Sequence, residues 1–314
     1  MTLLVAVVAA LSAAVPVPGT EESRPMVALA AMVRAVNAGD ARAYAALYAP
    51  DAVLTIYGGD VLQGRSAIEG YEVGLLRELP GARLGFHAIW QKGPAVVVRY
   101  AVNGRTAGGQ AMGHEGLLFY RFLPSGLIAE ERRYLDSLTP MAQLGALGAV
   151  AARPLPAVPV ETRGYEARLA NGGRERARMD QVKKSLAALD ANDTAAFLAG
   201  LTPDAVVDEM IEARPFVGRP DVTAWLEKWT RAVSGARTEV ATMVTVGDCV
   251  LVETILSGVL NGTLGPVTAS ARPFTVHRAL VVQFKAGRIG HIRAFMNGRE
   301  LAQSVGQWPL QPRK

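Results

Sequence analysis

The side chains best suited to metal or nucleophilic chemistry are scattered. The four histidines, His87, His114, His277 and His291, lie far apart, and Cys249 is the sole cysteine. No Cys/His spacing matches a metal site, and no disulfide can form within the chain. Cys249 opens the apolar run Cys249-Val250-Leu251-Val252, so it reads as a buried strand residue and not as a nucleophile. What remains could hold a ligand. Alternation along a strand puts His114 on one face with Gly116, Leu118 and Tyr120. Arg99 and Arg133 could each meet a carboxylate or phenolate. Trp90 or Tyr71 could stack on an aromatic ring. Trp225 and Trp229, four apart on one helix face, read as core, although a wide apolar pocket uses such residues too. Asp208 and Glu209 are adjacent carboxylates at the end of a strand. No cofactor is implied.

An internal repeat must position these groups. Ala38-Gly39-Asp40 recurs as Ala191-Asn192-Asp193, and Pro50-Asp51-Ala52-Val53 as Pro203-Asp204-Ala205-Val206, both at a spacing of 153. Gly64-Arg65 recurs as Gly218-Arg219, and Gly81-Ala82-Arg83 as Gly235-Ala236-Arg237, at 154. Gly126, Ile128 and Arg132 match Gly287, Ile289 and Arg293 at 161. The order never changes, so a whole domain is duplicated. The division is a leader over 1–24, domain 1 over 25–146, a Pro-containing linker over 147–177, domain 2 over 178–306 and a tail over 307–314.

In the first copy a helix starts near Pro25 and stops at Gly39, and Asp40 caps a second over 41–48. A strand over 52–57 and a third helix over 66–79 follow, then strands over 84–91, 95–103, 113–122 and 127–135. Lys92-Gly93-Pro94 marks a hairpin. The second copy repeats this over about 181–306. Three helices followed by a curved antiparallel sheet make an α+β cone-shaped domain with a conical cavity, twice over.

With half the residues hydrophobic and 19% charged, each copy can bury a core, and a disordered chain is excluded. The formal charge of +5 is spread out, and its densest stretch, 174–184, is broken by Glu175 and Asp180. A nucleic-acid partner is not expected. Residues 3–15 are almost wholly apolar and contain Ser12-Ala13-Ala14, which suits a cleaved export signal, although no Lys or Arg precedes them. The run is too short to span a bilayer, and no other segment could do so. Export to the periplasm or medium is therefore favoured over the cytoplasm.

Several motifs make the resemblance specific. They are Asp40-x-x-x-Tyr44, the Tyr48-Ala49-Pro50-Asp51-Ala52-Val53 turn, Gly64-Arg65-Ser66-Ala67-Ile68, and a closing run from Gly126 to Asp136. In this order they resemble the SnoaL-like and ketosteroid-isomerase-like domains of the nuclear transport factor 2-like superfamily. The resemblance covers about 25–146 and 178–306, with 138–145 matching a short C-terminal helix. It implies a small apolar or aromatic ligand of polyketide, steroid or terpenoid type. It also brings catalytic positions to check. The acid of cyclases and epoxide hydrolases stands three residues before the last strand's closing Asp. Here Asp136 is that closing residue, so the position is Arg133, and in the second copy, where Asn297 matches Asp136, it is Ala294. The isomerase base falls near Ile56 in the first copy and at Glu209 in the second. The isomerase's other positions fall near Met32 and Leu118, and near Ser185 and Leu280. His277 pairs with His114 or with Glu115, depending on where a gap is placed.

Three readings follow. Both cones bind an apolar ligand without turning it over, with Arg133 and His114 fixing its polar end. Alternatively, domain 2 is a cofactor-independent isomerase or cyclase with Glu209 as base. Or one copy is degenerate and packs against the other. Strands apolar on both faces, such as Val96-Val97-Val98 and Cys249-Val250-Leu251-Val252, call for burial on both. The two sheets are thus expected to pack together within one chain, as an intramolecular pseudo-dimer that leaves a monomer.

Overall fold

A computed structural model describes residues 23–168 and 172–312; the apolar leader lies outside the described residues. Helix α1 (Ser23–Ala38) ends where Gly39 takes φ +71°, a left-handed conformation that costs glycine little. The Asp40 side chain then accepts from Ala43 N at 2.8 Å and starts α2 (Ala41–Ala45). Strands β1 (Tyr48–Ile56) and β2 (Val61–Gln63) lead into α3 (Arg65–Glu78). Four strands complete the sheet: β3 (Arg83–Lys92), β4 (Ala95–Arg105), β5 (Ala111–Phe122) and β6 (Ile128–Leu135), with α4 (Leu138–Gln143) as the tail.

The linker holds β7 (Tyr165–Arg168), which joins the first sheet parallel to β3. The second copy runs α5 (Gly173–Asp190), α6 (Thr194–Ala199), β8 (Leu201–Glu209), β9 (Phe216–Val217), α7 (Gly218–Ala232), β10 (Val233–Val246), β11 (Cys249–Leu260), β12 (Arg272–Lys285), β13 (Arg288–Met296) and α8 (Gly298–Ser304). The strand orders are β2-β1-β6-β5-β4-β3-β7 and β10-β11-β12-β13-β8-β9. In both copies the first strand runs parallel to the last, and the other pairings between the core strands are antiparallel.

Each sheet has two apolar faces with different destinations. Val96 and Val98 point to the helices of their own copy, together with Leu29, Met32 and Leu54. Val97 points the other way, with Trp90, Leu117, Phe119 and Tyr134, and meets Leu251, Val281 and Phe295 of the second sheet. The sheets therefore pack face to face within the chain. Leu117 and Leu251 are fully buried there, worth roughly 2 kcal/mol each. Polar contacts fix the register. Arg132 reaches Glu253 twice, Nε to Oε1 at 2.6 Å and Nη2 to Oε2 at 2.8 Å, and Tyr134 Oη donates to Glu253 Oε1 at 2.9 Å.

Candidate functional site

The first cone is hollow. Its cavity, about 130 Å³, is walled by Met32 and Val36 of α1, Tyr44 of α2, Glu72 and Leu76 of α3 with Leu79 just after it, and strand residues that include Tyr100, His114, Leu118 and Arg133. Cross-strand register explains the strand contribution. Leu118 lies opposite Arg133, and Tyr100 opposite Gly116. A Cβ on Gly116 would come within 2.3 Å of the Tyr100 ring, so glycine there makes room for that ring.

A closed ring of hydrogen bonds holds Arg133. Its Nε donates to Glu131 Oε1 at 2.7 Å and its Nη2 to Tyr44 Oη at 2.9 Å. Tyr44 and Tyr48 share a hydrogen bond of 2.8 Å between hydroxyls, and Tyr48 Oη donates to Glu131. Tyr44 lies in the last turn of α2 and Tyr48 opens β1, and the turn between them brings both hydroxyls to one point. Glu131 and Arg133 stand two apart on β6 and so share its inner face. Burial works against the Arg133 charge, but Glu131 and the surrounding tyrosines keep it protonated, well above the usual arginine range. Burial raises the Tyr44 and Tyr48 hydroxyls, which stay neutral.

Glu72 is the exception among the cavity's polar groups. It is 5% exposed and makes no hydrogen bond among the described residues. Burial raises its pKa, Arg133 pulls it back and Glu131 pushes it further up. His114 Nε2 lies 3.1 Å from Tyr100 Oη, while its Nδ1 is buried with no partner. Burial, then Arg133, depresses the His114 pKa to about 4, so the imidazole is neutral near pH 7.

The second cone is filled. Trp225 and Trp229 lie 6.1 Å apart between ring centroids, and Phe197 packs 5.8 Å from Trp225. Only about 20 Å³ remains, roughly one water sphere. The strand registers set the two cones side by side. Arg133 faces Ile56, and Ala294 faces Glu209. By the repeat spacings, Tyr44, Tyr48, Glu131 and Arg133 become Phe197, Leu201, Ile292 and Ala294, all apolar. Glu72 becomes Leu226, and strand register, with Leu118 opposite Arg133 and Leu280 opposite Ala294, matches Gly116 to Arg278. Arg278 fills its cone and pairs with Glu209, with its guanidinium 5.7 Å from the Trp229 ring centroid.

The sequence candidates thus separate. His114 and Arg133 stand on the first cavity wall; Tyr120 is close behind, its Oη donating to Met32 Sδ at 3.3 Å. Tyr71 packs, half-buried, at the margin of that core. Trp90 and Arg99 belong to the outer face. A bulge between Phe86 and Ala88 reverses the alternation of β3, which sends Ile89 inward and Trp90 into the inter-sheet core. Arg99 follows Val98 on β4, so it points outward and bonds Glu115 at 3.3 Å. His277 stacks on Tyr57 with centroids 4.0 Å apart and meets Glu300 at 2.7 Å, again between the domains. Trp225 and Trp229 are core. Glu209 is buried against Arg278, which opposes the rise that burial gives its pKa, and it is not on the lining of the small second cavity.

Sequence reasoning passed over Glu72, Glu131 and Arg278. A signal for the first existed. Ile68, Glu72, Leu75, Leu76 and Leu79 form one i, i+4, i+7, i+8, i+11 stripe, in which a carboxylate is out of place.

No functionally curated protein matches the chain. Among solved structures, a protein of Jannaschia sp. CCS1 described as a SnoaL-like polyketide cyclase is 16% identical. It covers 45% of this chain and 100% of its own, with a TM-score of 0.41. TsrD from Streptomyces laurentii is 20% identical and covers 42% of this chain and 96% of its own, with a TM-score of 0.37. An NTF2-like protein from Burkholderia xenovorans LB400 is 19% identical, with coverages of 43% and 99% and a TM-score of 0.35. The SnoaL-like domain family matches residues 29–131 and again 182–292. That double match spans more than half of the sequence, and the chain belongs to the SnoaL-like domain family, with two copies in tandem.

Proposed function

We propose that the first cone binds a small, largely apolar molecule and that the second is its closed structural twin. The contrast between a cavity of about 130 Å³ and one of about 20 Å³ carries this reading. A dry apolar cavity of about 150 Å³ is known to admit benzene. A body of one ring or a branched alkyl chain therefore fits the first cone as it stands; a polyketide, steroid or terpenoid would have to extend through its mouth. Thermal-shift screening of one-ring compounds against the intact chain tests the reading. Stabilisation by several members is expected, and its loss when Leu118, on the cavity wall, is replaced by Trp. A flat response across the set would refute it.

The leader pattern supports export, with cleavage after about Ala14. Full-length protein recovered from native cytosol would refute it. The covered outer faces support a monomer. Light scattering over a wide dilution range should return one chain's mass, and a stable dimer would refute it.

A further inference from the structure

The first cavity holds two buried charged groups of opposite sign with very different surroundings. Arg133 is held in a fixed plane by Glu131 and Tyr44, and its Nη1 has no partner among the described residues. A guanidinium presented this way suits the two oxygens of a carboxylate. Glu72 reaches the same cavity from α3 with no hydrogen bond among the described residues. The remaining wall is mostly apolar, with Val36, Leu76, Leu79, Leu84 and Leu118.

We propose that the first cone takes a small monocarboxylate with a one-ring or branched alkyl body, seated on Arg133, and that Glu72 takes up a proton as it binds. This rests on the ligand-binding reading above and names its ligand class.

Glu131 already balances Arg133, so an entering carboxylate adds net negative charge to a low-dielectric space. A second ionised carboxylate in that space, Glu72, cannot be tolerated beside it. Protonating Glu72 removes the repulsion and creates an O–H donor for the ligand. The proton comes from solvent and forms a bond to a Glu72 Oε; no other bond changes. The groups around Glu72 do not replace it in this role. Tyr44 from α2 and Tyr100 from β4 are neutral, as is Tyr71 on α3. On β6, Glu131 is held by Arg133 and Tyr48. His114 from β5 is the one rival acceptor, and Glu78, at the exposed end of α3, is solvated. The twin cone supplies the contrast: Leu226 and Ala294 stand where Glu72 and Arg133 do, and that cone is closed.

The experiment is calorimetric titration of the full chain with benzoate, benzamide and toluene near neutral pH, in buffers of different ionisation enthalpy. Benzoate should bind at least about tenfold tighter than benzamide and take up close to one proton per ligand. Its affinity should rise about tenfold per pH unit lost while free Glu72 is ionised. Glu72→Gln should still bind benzoate, with proton uptake and pH dependence gone. Glu72→Leu, which copies Leu226 of the twin, serves if the Gln variant fails to fold. Equal affinity for benzamide, or undiminished uptake in either variant, overturns the proposal. Binding of toluene without benzoate overturns this proposal alone. No binding by any of the three overturns the ligand-binding reading as well.

Discussion

Asp136 and Asn297 occupy the same place in the two copies, and each reaches the start of the other copy's tail helix. The Asp136 carboxylate accepts from Gly298 N at 3.0 Å, at the first turn of α8, while also holding Thr139 N at 3.0 Å and Thr139 Oγ1 at 2.8 Å in its own α4. Asn297 Oδ1 accepts from Ser137 Oγ at 2.7 Å and from Arg299 N at 3.0 Å. The end of each last strand is thus stitched to the other domain.

Asp136→Ala should destabilise the whole chain by about 3 kcal/mol, since several buried N–H donors lose their acceptor at once. Asp136→Asn, the twin's own solution, should cost about half of that. Urea unfolding would measure both. An alanine variant within 0.5 kcal/mol or so of the parent would mean the cross-domain caps contribute little.

The capping ends were legible in the sequence because they are local. Gly39 and Asp40, and the matching Asn192 and Asp193, declare where one helix stops and the next begins. The order of repeated motifs declared two copies of one fold. What stayed hidden depends on contacts between distant residues. Strand β7 pairs Tyr165 with Ile89, across a linker that reads as an extended spacer. The bulge after Phe86 reverses which face carries Trp90, and nothing in an apolar run such as Phe86-His87-Ala88-Ile89-Trp90 fixes its parity. Glu72 differs: its place in the apolar stripe of α3 was legible, and only what it meets there, a cavity and not a filled core, depended on packing.

Arg278 and Glu209 form a pair in which both side chains are almost wholly buried. Removing one partner strands the other. Arg278→Met should therefore cost about 3–5 kcal/mol, while Arg278→Met with Glu209→Leu should recover most of the loss. Equilibrium unfolding of both variants decides it. A loss below about 1 kcal/mol for the single variant would indicate that Glu209 is solvated, and would revive it as a free base.

Glu72 and His114 should make stability depend on pH in opposite directions. The folded-state pKa of Glu72 is raised by burial, so the native state binds more protons than the unfolded chain just above the ordinary Glu value. Stability then falls as pH rises from about 4.3 through the raised value. The His114 pKa is lowered to about 4, so the native state binds fewer protons between there and the ordinary histidine value near 6.5. Stability rises with pH across that window, and His291, also lowered to about 4 by burial, adds to it. Relative to the parent, Glu72→Gln should gain as pH rises, and His114→Asn as pH falls from about 6.5 towards 4. The slope is at most about 1.4 kcal/mol per pH unit for each. Parallel stability-pH curves for parent and variants would show that neither group is desolvated as described.

Trp225 decides whether the second cone is open or shut. It is 3% exposed, touches Phe197 and Trp229, and forms part of the wall of the small remaining void. Its match in the first copy, by the spacing that carries Gly64 to Gly218, is Tyr71, which is only half-buried at the margin of its core. Trp225→Ala should cost about 3–5 kcal/mol, from lost apolar transfer and from the space left behind. The loss should be partly reversible. The surrounding Leu186, Phe197, Leu280 and Ile292 make a largely apolar wall, with Ser185 and Arg278 as its polar members, and such a cavity binds an aromatic of matching shape. Indole should therefore raise the melting temperature of Trp225→Ala in a saturable way and leave the parent unchanged. If the variant is destabilised but indole restores nothing, the helices have closed over the gap, and Trp225 alone is not what separates the filled cone from the hollow one.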